Sequence, residues 1–308
     1  MYSQDFLECI KAYFREEKTK IEHRLSQFLD EQDRNAPDSS VNEAIRYSIE
    51  SESKRLRGLT FLEAERLFNK NSGKTFYADD KIKFAITIAG GIECLHEGSI
   101  IMDDIQDDET VRRGKDPVYI KYGHHIAELA SLAMWNIGTN KIKSAVFDYE
   151  YLFDNIRSID NLVHWTINRM TTAQGEDLEA GDKTLEEKER TTLDKNRLFY
   201  LASVLPAYLY LEGEIRGNNL YNCAREVGSL MSEGYQLADD QEDAEKDRKG
   251  NTLVSDLGGL NRVVERLNII RGKIIKNVRI ISRGEESTLE FLVNSVFDKK
   301  IEGFSRLA

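Results

Sequence analysis

Between His96 and Gly114 the chain reads HEGSIIMDDIQDDETVRRG, with Asp103, Asp104, Asp107 and Asp108 crowded together and Arg112 and Arg113 following. A second acidic run, EGYQLADDQEDAEKDRKG, carries Asp239, Asp240 and Asp243. Both spell Asp-Asp-x-x-Asp. On a helix, residues three, four, seven and eleven apart share a face. His96, Ser99, Asp103 and Asp107 therefore form one polar stripe, and Gln236, Asp240, Asp243 and Asp247 another, with Asp239 beside it. Carboxylates at this density repel one another and require cations. Carboxylate oxygens completed by water and phosphate oxygens are the ligand set of Mg²⁺ on a diphosphate. A single acidic run is ordinarily a solvated face; two copies, each closing an apolar helical stretch, favour the metal.

Basic residues supply the complement. SKRLRGL places Lys54 and Arg57 one helical turn apart, and Arg112 and Arg113 trail the first acidic motif. Guanidinium and ammonium groups suit phosphate oxygens. Each basic pair taken alone reads as surface decoration, and His96 alone as a core or capping histidine; their co-occurrence gives them meaning. No Ser/His/Asp or Cys/His arrangement suggests an enzyme nucleophile.

The elements that must position these groups read as helices. The chain has 308 residues and only three prolines, Pro37, Pro117 and Pro206, and no sustained period-two alternation calls for a sheet. Phe6, Ile10, Phe14, Ile21, Leu25 and Phe28 mark an amphipathic helix over 3–29. Short helices are predicted from Val41 to about Ser53 and from Thr60 to Asn69, and a long buried one from Ala78 into the first acidic motif. Further helices are predicted over 124–146, 149–180, 185–213 and 217–246. With no linker or repeat, residues 1–308 read as a single all-α domain.

A formal net charge of −11 argues against nucleic-acid binding, because most of the surface repels a phosphate backbone. Cys9, Cys94 and Cys223 form neither a disulfide framework nor a metal site, which suits a reducing cytoplasm. The N-terminal stretch carries acids and no apolar signal core, and no segment reads as approaching the roughly 18 apolar residues of a bilayer span.

Together these stretches resemble the trans-isoprenyl diphosphate synthase family, which includes farnesyl and geranylgeranyl diphosphate synthases. DDIQDDETVRRG is similar to the family's first aspartate-rich motif with its arginine pair, and YQLADDQED to the second. SKRLRG resembles its Gly-Gly-Lys-x-x-Arg-Pro segment, TTAQGEDLEAG its Gln-centred segment through Gln174 and Asp177, and His96 stands where the family places a histidine. The resemblance implies an antiparallel helical bundle around a deep central cavity, assembled as a homodimer, that condenses isopentenyl diphosphate with an allylic prenyl diphosphate. It implies three Mg²⁺ ions on Asp103, Asp104, Asp107, Asp239 and Asp243, with Asp240 nearby. Lys54, Arg57, His96 and Arg113 would hold isopentenyl diphosphate; Arg112, Lys195, Gln236 and Lys249 would contact the allylic diphosphate, and Gln174 would be a further substrate-binding residue.

Several positions depart from the family pattern. Glu52 and Ser53 replace the paired glycines, Gly58 the proline, and Asn196 the threonine after Lys195. The expected lysine beyond Asp256 is absent, leaving Arg262 to substitute or nothing. Gly98 and Ser99 occupy positions where bulky aromatics stop the product at farnesyl, so an open floor and a geranylgeranyl product are expected unless Phe61 or Tyr119 closes it. Close helix packing is the other reading of Gly90, Gly91 and Gly98. A synthase-related terpene cyclase and a non-catalytic synthase subunit remain the rival functions.

Overall fold

The computed structural model describes residues 4–72, 78–148, 153–179, 183–211, 215–247 and 260–305. Backbone alone is described for 4–7, 78–81, 153–154, 239–247, 260 and 299–305. Every regular element among the described residues is helical: α1 (Gln4–Asn35), α2 (Ser40–Ile49), α3 (Leu56–Ser72), α4 (Ala78–Gln106), α5 (Val118–Tyr122), α6 (His124–Phe147), α7 (Phe153–Leu178), α8 (Leu185–Lys195), α9 (Arg197–Tyr210), a 3-10 turn (Ile215–Gly217), α10 (Asn219–Asp247), α11 (Leu260–Ile281) and α12 (Thr288–Ser305). Among the described residues the all-α reading of the sequence holds.

The chain divides into two compact units: Met1–Leu62 with Thr75–Ile156, and Glu63–Lys74 with Arg157–Ala308. The first is organised on α4, which packs against α6 and α1. Small residues make the α4–α6 crossing close. A methyl group built on Gly138 would lie 2.6 Å from the Gly91 carbonyl, and one on Gly91 2.9 Å from the Gly138 carbonyl. Ser131 Oγ donates to the Gly98 carbonyl at 2.7 Å, and a side chain at Gly98 would run into the Trp135 indole. Gly98 is therefore a helix-packing position whose empty side-chain space is filled by tryptophan. Within α4 the stretch Ile82–Gln106 is long and apolar enough to cross a membrane, more than composition suggested, but 83% of its apolar 18-residue window is buried, as in a core helix.

The second unit is built around α9, whose residues Leu198 to Tyr210 are all buried, including Pro206. Against it lies α10, brought close by Gly228, where a methyl group would meet Tyr200 Cα at 2.5 Å. One continuous helix over 185–213 was expected; the chain instead breaks at Asn196, which leaves helical geometry with φ −102° and ψ 25°. Two α10 residues one turn apart satisfy the break. Ser232 Oγ donates to the Asn196 carbonyl at 2.8 Å, and Asn196 Nδ2 donates to Gln236 Oε1 at 2.5 Å. A capping box between Thr184 and Glu187 starts α8.

Candidate active site

The first unit carries the first acidic motif and most of the basic groups. The α4 helix ends at Gln106, and the Asp107 N–H still donates to the Asp103 carbonyl at 2.9 Å, so Asp103 and Asp107 keep helical spacing. Asp103 is half-buried, Asp107 exposed and Asp104 buried. Asp104 Oδ1 accepts from Arg112 Nε at 2.6 Å, and Arg112 Nη2 lies 2.6 Å from the same oxygen as an ion pair. Burial pushes the Asp104 carboxyl up from its ordinary range while the Arg112 charge opposes that rise. Metal ligand and diphosphate contact, as read from the sequence, thus neutralise each other across one turn.

That pairing depends on a tight reversal. Arg112 and Lys115 exchange backbone hydrogen bonds at 2.8 and 3.0 Å, with Arg113 (φ 52°) and Gly114 (φ 75°) between them, both left-handed as a type I′ turn requires. Gly114 accepts this geometry freely; for Arg113 it costs about 1 kcal/mol. The reversal sends Arg112 to Asp104 and Arg113 to Glu97. Arg113 Nη1 and Nη2 reach the two Glu97 oxygens at 3.2 and 3.1 Å.

Deeper along α4, Arg57 Nη1 lies 2.9 Å from His96 Nε2. Burial lowers the His96 ring well below its ordinary pKa, and the charges of Arg57, Arg113, Arg55 and Arg112 push the same way. Lys54 is exposed and precedes α3, which begins at Leu56, so Lys54 and Arg57 are not one helical turn apart as the spacing suggested. The reason is Arg55, whose left-handed φ of 51° turns the chain before the helix starts.

Arg55, Glu93 and Glu97 were missed by the sequence reading. The Arg55 side chain is fully enclosed; Nη1 donates to Glu97 Oε1 at 2.8 Å and Nη2 to the Ile49 carbonyl at 2.6 Å. Glu93 Oε1 accepts the Gly58 N–H at 2.7 Å, a bond that the family's proline at this position could not make. Burial raises the Glu93 carboxyl from its ordinary pKa, against the pull of Arg55. The available signal was spacing: Glu93 and Glu97 are i and i+4 on the helix that carries His96. What spacing could not supply was their burial.

In the second unit Lys195 Nζ donates to Asp177 Oδ2 at 2.6 Å, one turn along α7 from the half-buried Gln174. Gln236 holds Asn196, as described above. Helix α10 carries Asp239, Asp240 and Asp243, whose side chains lie outside the described residues, as does Lys249 entirely. Ser99, 100° around α4 from Gly98, is half-buried and donates to the His96 carbonyl at 2.8 Å.

The donor set suits a hard divalent cation in one respect. Asp103, Asp104 and Asp107 offer only oxygens, and among the described residues no three His, Cys, Asp or Glu groups enclose an ion by themselves. Mg²⁺ characteristically takes few carboxylates and completes its shell with water and substrate phosphate.

Comparison with known proteins gives a consistent result. Residues 38–258 match the sequence profile of the polyprenyl synthetase family. The chain is 28% identical over 232 residues to geranylgeranyl pyrophosphate synthase 10 of Arabidopsis thaliana, covering 72% of this chain and 63% of that protein. With the farnesyl diphosphate synthase of Buchnera aphidicola it shares 25% identity over 212 residues, 68% of this chain and 72% of the other. In structure it is similar to a geranyltranstransferase of Thermotoga maritima, with a TM-score of 0.75, 21% identity and 94% and 99% coverage of the two chains. The FPP/GFPP synthase of Zymomonas mobilis gives 0.76, with 19% identity and 94% and 99% coverage.

Proposed function

This chain belongs to the polyprenyl synthetase family, and from that premise we propose that it is a prenyltransferase joining isopentenyl diphosphate head-to-tail to an allylic prenyl diphosphate. Residues 1–308 act as one catalytic domain in this reading. The observation that carries it is the Arg57–His96 pair with Arg113 nearby, a basic cluster on the same helix-built unit as the first aspartate motif. A cyclase needs one diphosphate site; a second basic cluster favours a second diphosphate.

Lys54, Arg57, His96 and Arg113 hold isopentenyl diphosphate, while Arg112, Lys195, Gln174, Gln236 and Lys249 serve the allylic partner. Asp103, Asp104, Asp107, Asp239 and Asp243 would hold Mg²⁺, beside Asp240, and the bound ions supply the positive charge that favours departure of diphosphate. The allylic C1–O bond breaks with its electron pair leaving on diphosphate. The double bond of isopentenyl diphosphate then donates its electrons from C4 to C1, forming the new C–C bond. Loss of a proton from C2 to the departed diphosphate restores a trans double bond. The chain's work is to orient both diphosphates and exclude water from the cation, with no covalent enzyme intermediate.

Small Ser99, on the α4 face it shares with His96 and Asp103, supports geranylgeranyl diphosphate as product, whereas the space beside Gly98 is taken by Trp135. Leu129 and Leu132, 50% and 61% exposed on one face of α6, support a homodimer, and three free thiols suit a cytoplasmic setting.

Incubation of the purified protein with Mg²⁺ and farnesyl diphosphate, with and without isopentenyl diphosphate, tests the reading. Elongated prenyl diphosphate formed only with isopentenyl diphosphate is the expected result. Cyclic hydrocarbon formed without it would make the protein a cyclase, and no diphosphate release at all would make it a non-catalytic subunit.

A further inference from the structure

Glu97 is completely enclosed, yet the reaction proposed above gives it no part. Its carboxylate is saturated with donors. Oε1 accepts Arg55 Nη1 at 2.8 Å and Arg113 Nη2 at 3.1 Å; Oε2 accepts Ser48 Oγ at 3.1 Å and Arg113 Nη1 at 3.2 Å. Two of the few non-glycine residues with left-handed backbone, Arg55 and Arg113, thus converge on one buried oxygen pair from segments 58 positions apart. Strain of this kind persists only where surrounding structure over-determines it.

The geometry of the Arg113 contact gives it a direction. Both terminal nitrogens meet Glu97 end-on, which leaves the guanidinium edge bearing Nε–H for another acceptor. The Arg113 side chain retains 19% exposure, whereas Glu97 has none. A long, rotamer-rich side chain is therefore clamped at its inner edge and presented at its outer one. Pre-ordering of this kind removes entropy that a ligand would otherwise have to supply.

We infer that Glu97 is a positioning residue: held by Arg55 and Ser48, it fixes the Arg113 guanidinium so that its free edge receives the diphosphate of the isopentenyl substrate. The inference rests on the reading that Arg57, His96 and Arg113 form that substrate's site. Arg55 in turn is not a ligand contact but the buried counter-charge that keeps the Glu97 carboxylate in place.

Steady-state kinetics of the full chain, with isopentenyl diphosphate varied at saturating farnesyl diphosphate and Mg²⁺, separates the two levels. Glu97→Gln, Arg113→Gln and the double variant are compared, with Glu97→Asp as a charge-retaining variant should Glu97→Gln fail to fold. Expected is a rise in KM for isopentenyl diphosphate of about tenfold in Glu97→Gln and about threefold in Glu97→Asp, of the size set by one charge-assisted contact. The KM for farnesyl diphosphate and kcat should stay within about twofold, and Glu97→Gln should add nothing in the Arg113→Gln background. Raised KM in Arg113→Gln with an unchanged value in both Glu97 variants would overturn the inference and leave the site reading standing. Multiplicative losses in the double variant would overturn it too, because Glu97 would then act other than through Arg113. A fall in KM in Glu97→Gln would show the carboxylate competing with substrate. If Arg113→Gln itself leaves KM unchanged, the site reading fails and the inference with it.

Discussion

Arg57 Nη1 approaches His96 Nε2 to 2.9 Å, and since arginine can only donate, that nitrogen must present its lone pair. His96 is therefore neutral in the fold, with its proton on Nδ1. Burial and four arginine charges hold it there by lowering its pKa well below the ordinary value.

The sign of the resulting pH dependence follows. A histidine whose folded pKa is depressed binds more protons unfolded, so its contribution to stability is complete above the unfolded value, about 6.5, and is lost as pH falls below it. Between about pH 7.5 and 5.5 the wild-type protein should lose more unfolding free energy than His96→Gln, by up to about 1.4 kcal/mol per pH unit. Urea titrations at the two pH values check this, and equal losses in both proteins would contradict it.

Asp103→Ala and Asp239→Ala should each lower the rate of diphosphate release by about 10²–10³ or more, the scale of losing one electrostatic element of a transition state. The circular dichroism spectrum and melting temperature should be nearly unchanged. A near-normal rate in either variant refutes the assignment of the two acidic motifs to metal.

Removing Arg55 should cost far more than removing an ordinary surface arginine. Arg55→Ala leaves Glu97 buried beside Glu93 with one cation gone, a loss of about 3–5 kcal/mol for a buried pair broken on one side. Unfolding in urea measures it, with Arg46→Ala, whose partners Asp30 and Asp33 are well exposed, expected to stay within about 1 kcal/mol.

Gly138→Ala should destabilise by about 1–3 kcal/mol, because its methyl group meets the Gly91 backbone carbonyl and the α4–α6 crossing must open. Gly272→Ala, which meets nothing within 4 Å in the middle of α11, should instead gain a few tenths to about 1 kcal/mol. Thermal melts of the two variants should move in opposite directions.

Ser99 shares its α4 face with His96 and Asp103, whereas Gly98 is turned against Trp135. Ser99→Phe should therefore shorten the prenyl product by at least one isoprene unit without disturbing the fold. Chromatography of the dephosphorylated products reads the length, and an unchanged product would place the cavity floor elsewhere.

Local periodicity made much of this protein legible from sequence. The apolar spacing of Ile21, Leu25 and Phe28 marked a buried helical face, all three being fully enclosed, and the Asp-Asp-x-x-Asp runs marked where two helices turn from apolar to acidic. Such signals travel through contacts three or four residues apart, which a linear reading contains. Asn196 was not legible as a break, because the groups that satisfy it, Ser232 and Gln236, arrive from 36 and 40 positions away. Nor could spacing distinguish Glu97 from any exposed helical glutamate. Its burial, and the convergence on it of Arg55 and Arg113 through two left-handed turns, exist only once three segments are packed together. Desolvation and ion pairing are properties of the assembled interior: the sequence alone determined the helices and the chemistry they carry, and the tertiary structure decided which charges are enclosed, paired and held in position.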